Sequence, residues 1–246
     1  MNKKGKIYVI GLGPGGREYT TPKAVKAIKS SDVIVGYKTY IKLIEDLLED
    51  KKVLSSGMRK EVDRCKRALK KANEGKIVSL ISSGDAGVYG MAGIMLEVYM
   101  KENKNIEVEI VPGISAANAA ASSLGAPIMH DYVVISLSDL LTDWELIKKR
   151  LHCAAKGDFV VSIYNPKSKG RQKHIEIARD ILLKYKDDTT PVGIVRNAKR
   201  EGEEVKVTTL KHMLKFNIDM LTTVIVGNSN TYIKDGRIVT PRGYTV

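Results

Sequence analysis

Four loops in this 246-residue chain hold the residues whose types and spacing could do chemistry. The first is Gly11-Leu12-Gly13-Pro14-Gly15-Gly16, in which Gly11, Gly13 and Gly16 satisfy the G-x-G-x-x-G spacing of a dinucleotide-binding turn. That chemistry needs the glycines to open a helix whose N-terminal amides hold a pyrophosphate. The nearest helix start comes later, with Thr21 as N-cap and Pro22 in the first turn. Asp32 precedes the apolar run Val33-Ile34-Val35, whereas a ribose-binding acid would follow it. Pro14 also removes an amide donor from the turn. The loop therefore predicts close backbone approach to a ligand better than it predicts nicotinamide binding.

The second loop, Ser82 to Gly90, sets Asp85 among small residues. A carboxylate there can accept hydrogen bonds from ribose hydroxyls or an ammonium, or it can close an Asx turn, and spacing does not separate the two. The third is Pro112-Gly113-Ile114-Ser115-Ala116. The fourth, Tyr164 to Lys173, carries Lys167, Lys169, Arg171 and Lys173 with no acid until Glu176. Its composition suits an anionic ligand, and equally a solvated charged face. His130, His152, His174 and His212 show no zinc-ligand spacing, so no metal site is expected. No G-x-S-x-G elbow is present, which leaves covalent hydrolysis without support. His130, beside Asp131, stands open as a proton carrier or as an ordinary structural histidine.

The elements that must position these loops are legible from hydrophobic patterning. Apolar runs at 6–10, 33–36, 52–54, 77–81 and 106–111 alternate with helical patterns near 21–30, 38–48, 58–74 and 90–101. That order predicts an α/β fold with parallel strands and crossover helices, and ligands gather beyond the carboxyl ends of such strands. The Ala/Ser-rich segment 114–124 predicts a helix that allows close approach. A domain boundary is placed before it, giving an N-terminal α/β domain over 1–113 and a C-terminal α/β domain over 114–246. The second half has strand candidates at 132–136, 158–163, 192–196, 204–208 and 222–226, with helices near 144–156 and 170–186. Turns at Gly202 and Asp235-Gly236 imply hairpins, hence a mixed sheet.

The formal net charge is +13, spread as +7 over residues 1–113 and +6 over 114–246. Spread basicity fits simple solubility, nucleic acid or a polyanionic small substrate. Only 6% of residues are aromatic, which does not favour a stacking platform for single strands. Cys65 and Cys153 match no metal spacing and read as free thiols of a reducing cytosol. The basic start Met1-Asn2-Lys3-Lys4-Gly5-Lys6 leads into a run too short for a signal peptide, and no apolar stretch approaches a membrane span. A cytoplasmic protein without membrane or nucleic-acid partners is expected.

Taken together, the loops resemble the tetrapyrrole methylases. The segments Gly-Leu-Gly-Pro-Gly-Gly…Tyr-Thr-Thr, Ser-Gly-Asp-Ala-Gly-Val-Tyr-Gly and Val-Pro-Gly-Ile-Ser-Ala-Ala match the family's three N-terminal motifs. Ile135 to Thr142, Tyr164-Asn165-Pro166-Lys167-Ser168, Gly227-Asn228-Ser229 and Thr240-Pro241-Arg242-Gly243-Tyr244 look like the precorrin-3B or cobalt-factor III C17-methyltransferase branch. The resemblance implies two α/β domains with S-adenosyl-L-methionine folded into the cleft between them and S-adenosyl-L-homocysteine as product. It implies that Pro14, Ser83, Gly84, Asp85, Val88, Ser115, Ala116, Asn165 and Ala198 line the cofactor site. Lys167, Lys169, Arg171 and Arg196, with Lys199 and Arg200, then receive the carboxylates of a tetrapyrrole. Asp85 or His130 is the expected proton carrier in the ring contraction that accompanies C-17 methylation. A homodimer is also implied. Two positions depart from the family pattern: Ser83 stands where Gly is frequent, and Asp143 where many relatives have proline. The rivals are a methylase acting at another ring carbon and an RNA- or protein-modifying relative of the same fold.

Overall fold

The computed structural model describes residues 4–102 and 106–245, so Met1-Asn2-Lys3 of the basic start lie outside the described residues. The chain forms two compact units, Met1–Ala116 and Ala117–Val246.

In the N-terminal unit five strands form one sheet: β1 (Lys6–Gly11), β2 (Val33–Tyr37), β3 (Lys52–Ser56), β4 (Ile77–Ser82) and β5 (Glu107–Val111). Their order is β3-β2-β4-β1-β5 and every pairing is parallel. Parallel strands need crossovers, supplied here by α1 (Pro22–Ser30), α2 (Lys38–Lys42), α3 (Glu61–Asn73) and α4 (Ala92–Glu102). Strand alternation sorts the core into two layers. Ile7, Val9, Val33, Val35, Val78 and Leu80 pack with Cys65, Leu69 and Met95 of α3 and α4. Ile10, Ile34 and Ile81 point the other way and pack with Ala24, Ile28 and Ile41 of α1 and α2. Both faces are covered, which is why these strands read as continuous apolar runs. Burial in the first layer pushes the Cys65 thiol up to about 12.

Helix boundaries follow local chemistry. The Thr21 hydroxyl accepts the Ala24 amide at 3.2 Å with Pro22 in the first turn, the cap expected from the sequence. The helix expected over 38–48 breaks into α2 and a 3-10 turn at Glu45–Leu47. Its buried residues Ile41, Ile44 and Leu47 recur every third position, the period of a 3-10 helix. The helix expected from 58 starts at Glu61, because Arg59 adopts a left-handed φ of 59°.

The C-terminal unit begins within α5 (Ala116–Leu124), followed by the short strand β6 (Gly125–Ala126). Its main sheet combines β7 (Tyr132–Ser136), β8 (Val160–Tyr164), β9 (Pro191–Arg196), β10 (Glu204–Thr209) and β11 (Thr222–Val226) in the order β10-β9-β11-β8-β7. β7 and β8 run parallel and the remaining pairings are antiparallel, so the sheet is mixed, as the hairpin signals predict. A hairpin of β12 (Tyr232–Lys234) and β13 (Arg237–Val239) turns at Asp235-Gly236 and pairs with β6. One sheet face packs on α6 (Trp144–Lys156) and α7 (His174–Leu182) through Ile147, Leu151, Ala178 and Leu182. On the other face α5 comes so close that a Cβ on Gly193 would lie 2.2 Å from Leu124 Cδ1. That contact explains a glycine in the middle of a strand. The helix expected from 170 starts only at His174, because Ser168 and Arg171 exchange backbone hydrogen bonds at 3.2 and 3.0 Å in a tight reversal.

Candidate functional site

In the N-terminal unit the loops after β1, β4 and β5 meet beyond the carboxyl ends of adjacent strands. Gly13 and Gly84 exchange backbone hydrogen bonds at 3.0 and 2.7 Å, tying the first glycine loop to the second. A Cβ on Gly113 would sit 2.4 Å from Gly84 O and 2.6 Å from Gly11 O. A Cβ on Gly11 would meet the same backbone from the other side, 2.8 Å from Gly113 N. These glycines are therefore needed for backbone to touch backbone, which no side chain would permit.

Asp85 is the fastener of this cluster. Its Oδ1 accepts the Gly87 amide at 2.7 Å and its Oδ2 accepts the Gly113 amide at 2.9 Å. The first bond is the Asx turn, and the second spans to the loop after β5. Gly84 is different from its neighbours. It has a left-handed φ of 64°, and a Cβ there would stand 3.8 Å from Ala116 N and 3.9 Å from Ile114 O. A Cβ there would make only ordinary van der Waals contact, so the left-handed φ and not crowding calls for glycine at this position. Val88 is exposed on the same loop. The cluster brings Ser83, Gly84, Asp85, Ser115 and Ala116 to one edge, with the loop carrying Pro14 bonded to it. Backbone donors and acceptors beside one carboxylate with an amide on each oxygen suit an adenosyl or amino-acid moiety read by hydrogen bonds.

Beside this cluster lies a cavity of about 170 Å³ that sequence reasoning missed, lined by Tyr37, Tyr40, Arg64, Ser82 and Met91 among others. Arg64 is buried and donates to Ser56 Oγ at 3.0 Å, Gly57 O at 2.9 Å and Glu61 Oε1 at 2.7 Å. The only sequence trace was Glu61 three residues before Arg64 on a helix, a spacing shared by many solvated pairs.

In the C-terminal unit, β7, β8 and β9 all end at one edge, since β9 and β8 are each antiparallel to β11. Asn165 and Ala198 follow β8 and β9 at that edge. Asn165 has a left-handed φ of 51°, and its Nδ2 donates to Ser136 Oγ at 2.9 Å. The Tyr164 hydroxyl accepts the Ala117 amide at 2.7 Å. Lys167 is half-buried and Lys169 exposed. Arg171 is only 8% exposed. Its Nη1 donates to Leu137 O at 2.8 Å and to Asn165 O at 3.2 Å, so its charge faces inward. Arg196 is bracketed by Asp219 at 2.8 Å and Glu204 at 3.2 Å. Burial works to raise the Asp219 carboxyl, but the hydrogen bonds from Arg196, the Leu221 amide and Thr222, with the Arg196 charge, together hold it below the usual range. The Lys199 amide donates to Glu203 Oε1 at 2.9 Å. Among the cations expected to meet substrate, Lys169 is exposed, Arg171 is buried, and Lys167, Arg196, Lys199 and Arg200 are half-buried.

His130 precedes β7 and so lies at the opposite edge of this sheet from Asn165. Its half-exposed ring accepts the Asp131 amide on Nδ1 at 2.8 Å. The proton-carrier expectation draws no support from that placement. A cavity of about 510 Å³ shares this far edge, lined by Asp158, Lys186, Asn228 and Ser229 among others. There Asp158 accepts from Lys186 Nζ at 3.1 Å and from Ser229 Oγ at 2.6 Å. Among the described residues no group of three or more His, Cys, Asp or Glu side chains could hold a metal ion.

The comparisons agree with the loop geometry. The profile of the tetrapyrrole (corrin/porphyrin) methylases matches residues 6–214. A cobalt-factor III methyltransferase of Priestia megaterium is 55% identical over 98% of this chain, which spans 45% of that relative's length. A probable cobalt-factor III C(17)-methyltransferase of Salmonella typhimurium is 49% identical, with 98% of this chain and 100% of the relative covered. The crystal structure of the methyltransferase CobJ superposes with a TM-score of 0.92 at 36% identity, covering 96% of this chain and 100% of that one. The chain belongs to the tetrapyrrole (corrin/porphyrin) methylase family.

Proposed function

We propose that this chain is an S-adenosyl-L-methionine-dependent methyltransferase that methylates C-17 of a precorrin-3B or cobalt-factor III type tetrapyrrole, coupled to ring contraction in cobalamin biosynthesis. The observation that carries this reading is the 49% identity to the probable cobalt-factor III C(17)-methyltransferase across that relative's whole length. The pathway motifs of the sequence fall on the loop edges of the two units, which supports it further.

The methyl donor supplies a sulfonium-bound methyl group. In the proposed site Pro14, Ser83 to Asp85, Val88, Ser115 and Ala116 hold it in the N-terminal unit, and Asn165 and Ala198 in the C-terminal unit. The glycine-rich loops after β1, β4 and β5, fastened by Asp85, would present backbone groups to that ligand. Transfer is a displacement: the ring carbon contributes the electron pair, the carbon–sulfur bond breaks, and a thioether remains. Such a step gains most from in-line placement, so the chain's residues orient and need not attack. Lys167 and Lys169 receive substrate carboxylates as mobile point charges, while Arg196 at the same edge is held by Asp219 and Glu204 and would have to exchange one of those partners to join them. Asp85, with each oxygen accepting one backbone amide, acts first by fixing the loops. We further propose a cytoplasmic homodimer with no nucleic-acid or membrane partner. No described helix is long and apolar enough to cross a membrane, and sedimentation equilibrium tests the dimer.

The deciding experiment incubates the protein with S-adenosylmethionine and either cobalt-loaded or metal-free acceptor, then locates the new methyl group by NMR. Methylation at C-17 is expected. Methylation at another ring carbon would replace the proposed specificity, and methylation of RNA or protein with no tetrapyrrole turnover would replace the substrate class.

A further inference from the structure

Asn165 adopts a left-handed φ of 51° immediately before Pro166. A residue preceding proline prefers extended backbone, and a non-glycine residue rarely adopts positive φ. A conformation disfavoured on both counts persists only where its surroundings over-determine it. Two groups restrain it: Ser136 Oγ accepts from Asn165 Nδ2, and Arg171 Nη1 donates to the Asn165 carbonyl. The same Nη1 donates to Leu137 O, so one guanidinium joins the loops after β7 and β8. Arg171 is itself held. Its Nε lies 3.7 Å from Asp139 Oδ1, and Asp139 Oδ2 lies 3.0 Å from His174 Nε2. The His174 ring stacks on Trp144 with centroids 4.1 Å apart.

We propose that Arg171 is a positioning residue of the methyl-donor site, with Asp139 and His174 as the latch that orients its guanidinium, and is not a receptor for substrate carboxylates. The proposal rests on the reading that Asn165 meets the methyl donor. Two observations set it apart from a surface basic residue. Arg171 is 8% exposed while Lys169, two positions away, is exposed. Its contacts are a carboxylate, two carbonyls and the Met220 sulfur at 3.7 Å, drawn from the loops after β7 and β8 and from the segment before β11. Burial works to raise the Asp139 carboxyl, yet the His174 hydrogen bond and a backbone hydrogen bond, with smaller help from the His174 and Arg171 charges, together hold it below its usual value. Lysine in place of Arg171 keeps the charge but has no planar fork with which to engage Leu137 O, Asn165 O and Asp139 together.

The test compares wild type, Arg171→Lys, Asp139→Asn and His174→Phe by calorimetric titration with S-adenosylhomocysteine and by steady-state methyl transfer. Melting curves and far-ultraviolet circular dichroism check the fold, since the emission of Trp144 would answer directly to a change at His174. A positioning role predicts that R171K weakens S-adenosylhomocysteine binding roughly tenfold. The KM for the tetrapyrrole at saturating donor should then move less than about twofold, with H174F shifting donor affinity in the same direction by a smaller factor. If R171K leaves donor affinity within about twofold of wild type, the proposal is overturned, whether or not the tetrapyrrole KM rises. Should R171K fail to fold, D139N and H174F decide by the same criterion. Wild-type protein that binds no S-adenosylhomocysteine would defeat the methyl-donor reading, and this inference with it; binding by wild type with unchanged variants defeats the latch alone.

Discussion

Asp85 shows how a side chain's role depends on partners far along the chain. Read in sequence it is a short carboxylate able to meet a ribose or an ammonium. In the fold one oxygen closes its own turn at the Gly87 amide and the other reaches the Gly113 amide. Asp85→Asn keeps the shape but turns an amide N–H toward a backbone N–H at one of the two bonds. Removing a partner from a partly buried hydrogen bond costs about 1–3 kcal/mol. We expect chemical denaturation to show a loss in that range, together with weaker S-adenosylhomocysteine binding. Unchanged stability would mean the carboxylate does not fasten the loops. Arg171 carries a similar lesson. In sequence it is one of four cations in a row, and only its burial separates it from Lys169.

The loops after β1, β4 and β5 act as one element because glycine lets their backbones touch. The Gly13–Gly84 exchange uses left-handed backbone at both residues, and the close approach of Gly11 and Gly113 leaves no room for a Cβ at either. Gly113→Ala would push a methyl group to 2.4 Å from Gly84 O and 2.6 Å from Gly11 O, both backbone atoms that cannot swing aside. Overpacking of that kind costs about 1–3 kcal/mol or more. A thermal melt should show the loss, and donor affinity should fall with it. A Gly113→Ala protein as stable as wild type would show that the loops relax more freely than this geometry allows. Element boundaries were legible where their signals are local: the Thr21 cap with Pro22, the β-rich run ending at Ser82, and the Asp235-Gly236 hairpin turn. They were illegible where packing decides. The break after Lys42 answers to the threefold spacing of Ile41, Ile44 and Leu47, and the late start of α7 answers to the inward turn of Arg171.

The charge of +13 belongs to the molecule as a whole, spread over both halves of the chain. Individual cations are paired with acids, Lys6 with Glu107 and Glu109, Arg64 with Glu61, and Arg196 with Asp219 and Glu204, and the net excess is the set of cations beyond all such pairs. What remains supplies a positive field, and a polycarboxylate entering it gains in encounter rate at low ionic strength. We therefore expect the KM for the tetrapyrrole to rise several-fold between about 0.05 and 0.5 M salt, as the Debye length shrinks, with kcat nearly constant. Lys167→Glu with Lys169→Glu should flatten that dependence. A salt-independent KM would show that the excess charge plays no part in acceptor capture.

The sequence by itself determined the α/β class, the mixed second sheet, the family and the four loops that carry its motifs. These rest on periodicity, turn chemistry and motif spacing, all of which are properties of neighbouring residues. Tertiary structure alone decided what those loops do to one another. It turned Asp85 from a free ligand group into a clasp and buried Arg171 beneath the Asn165 turn. It also set His130 at the edge of its sheet opposite Asn165. Each of those outcomes depends on contacts between residues tens of positions apart, whose geometry no local pattern encodes.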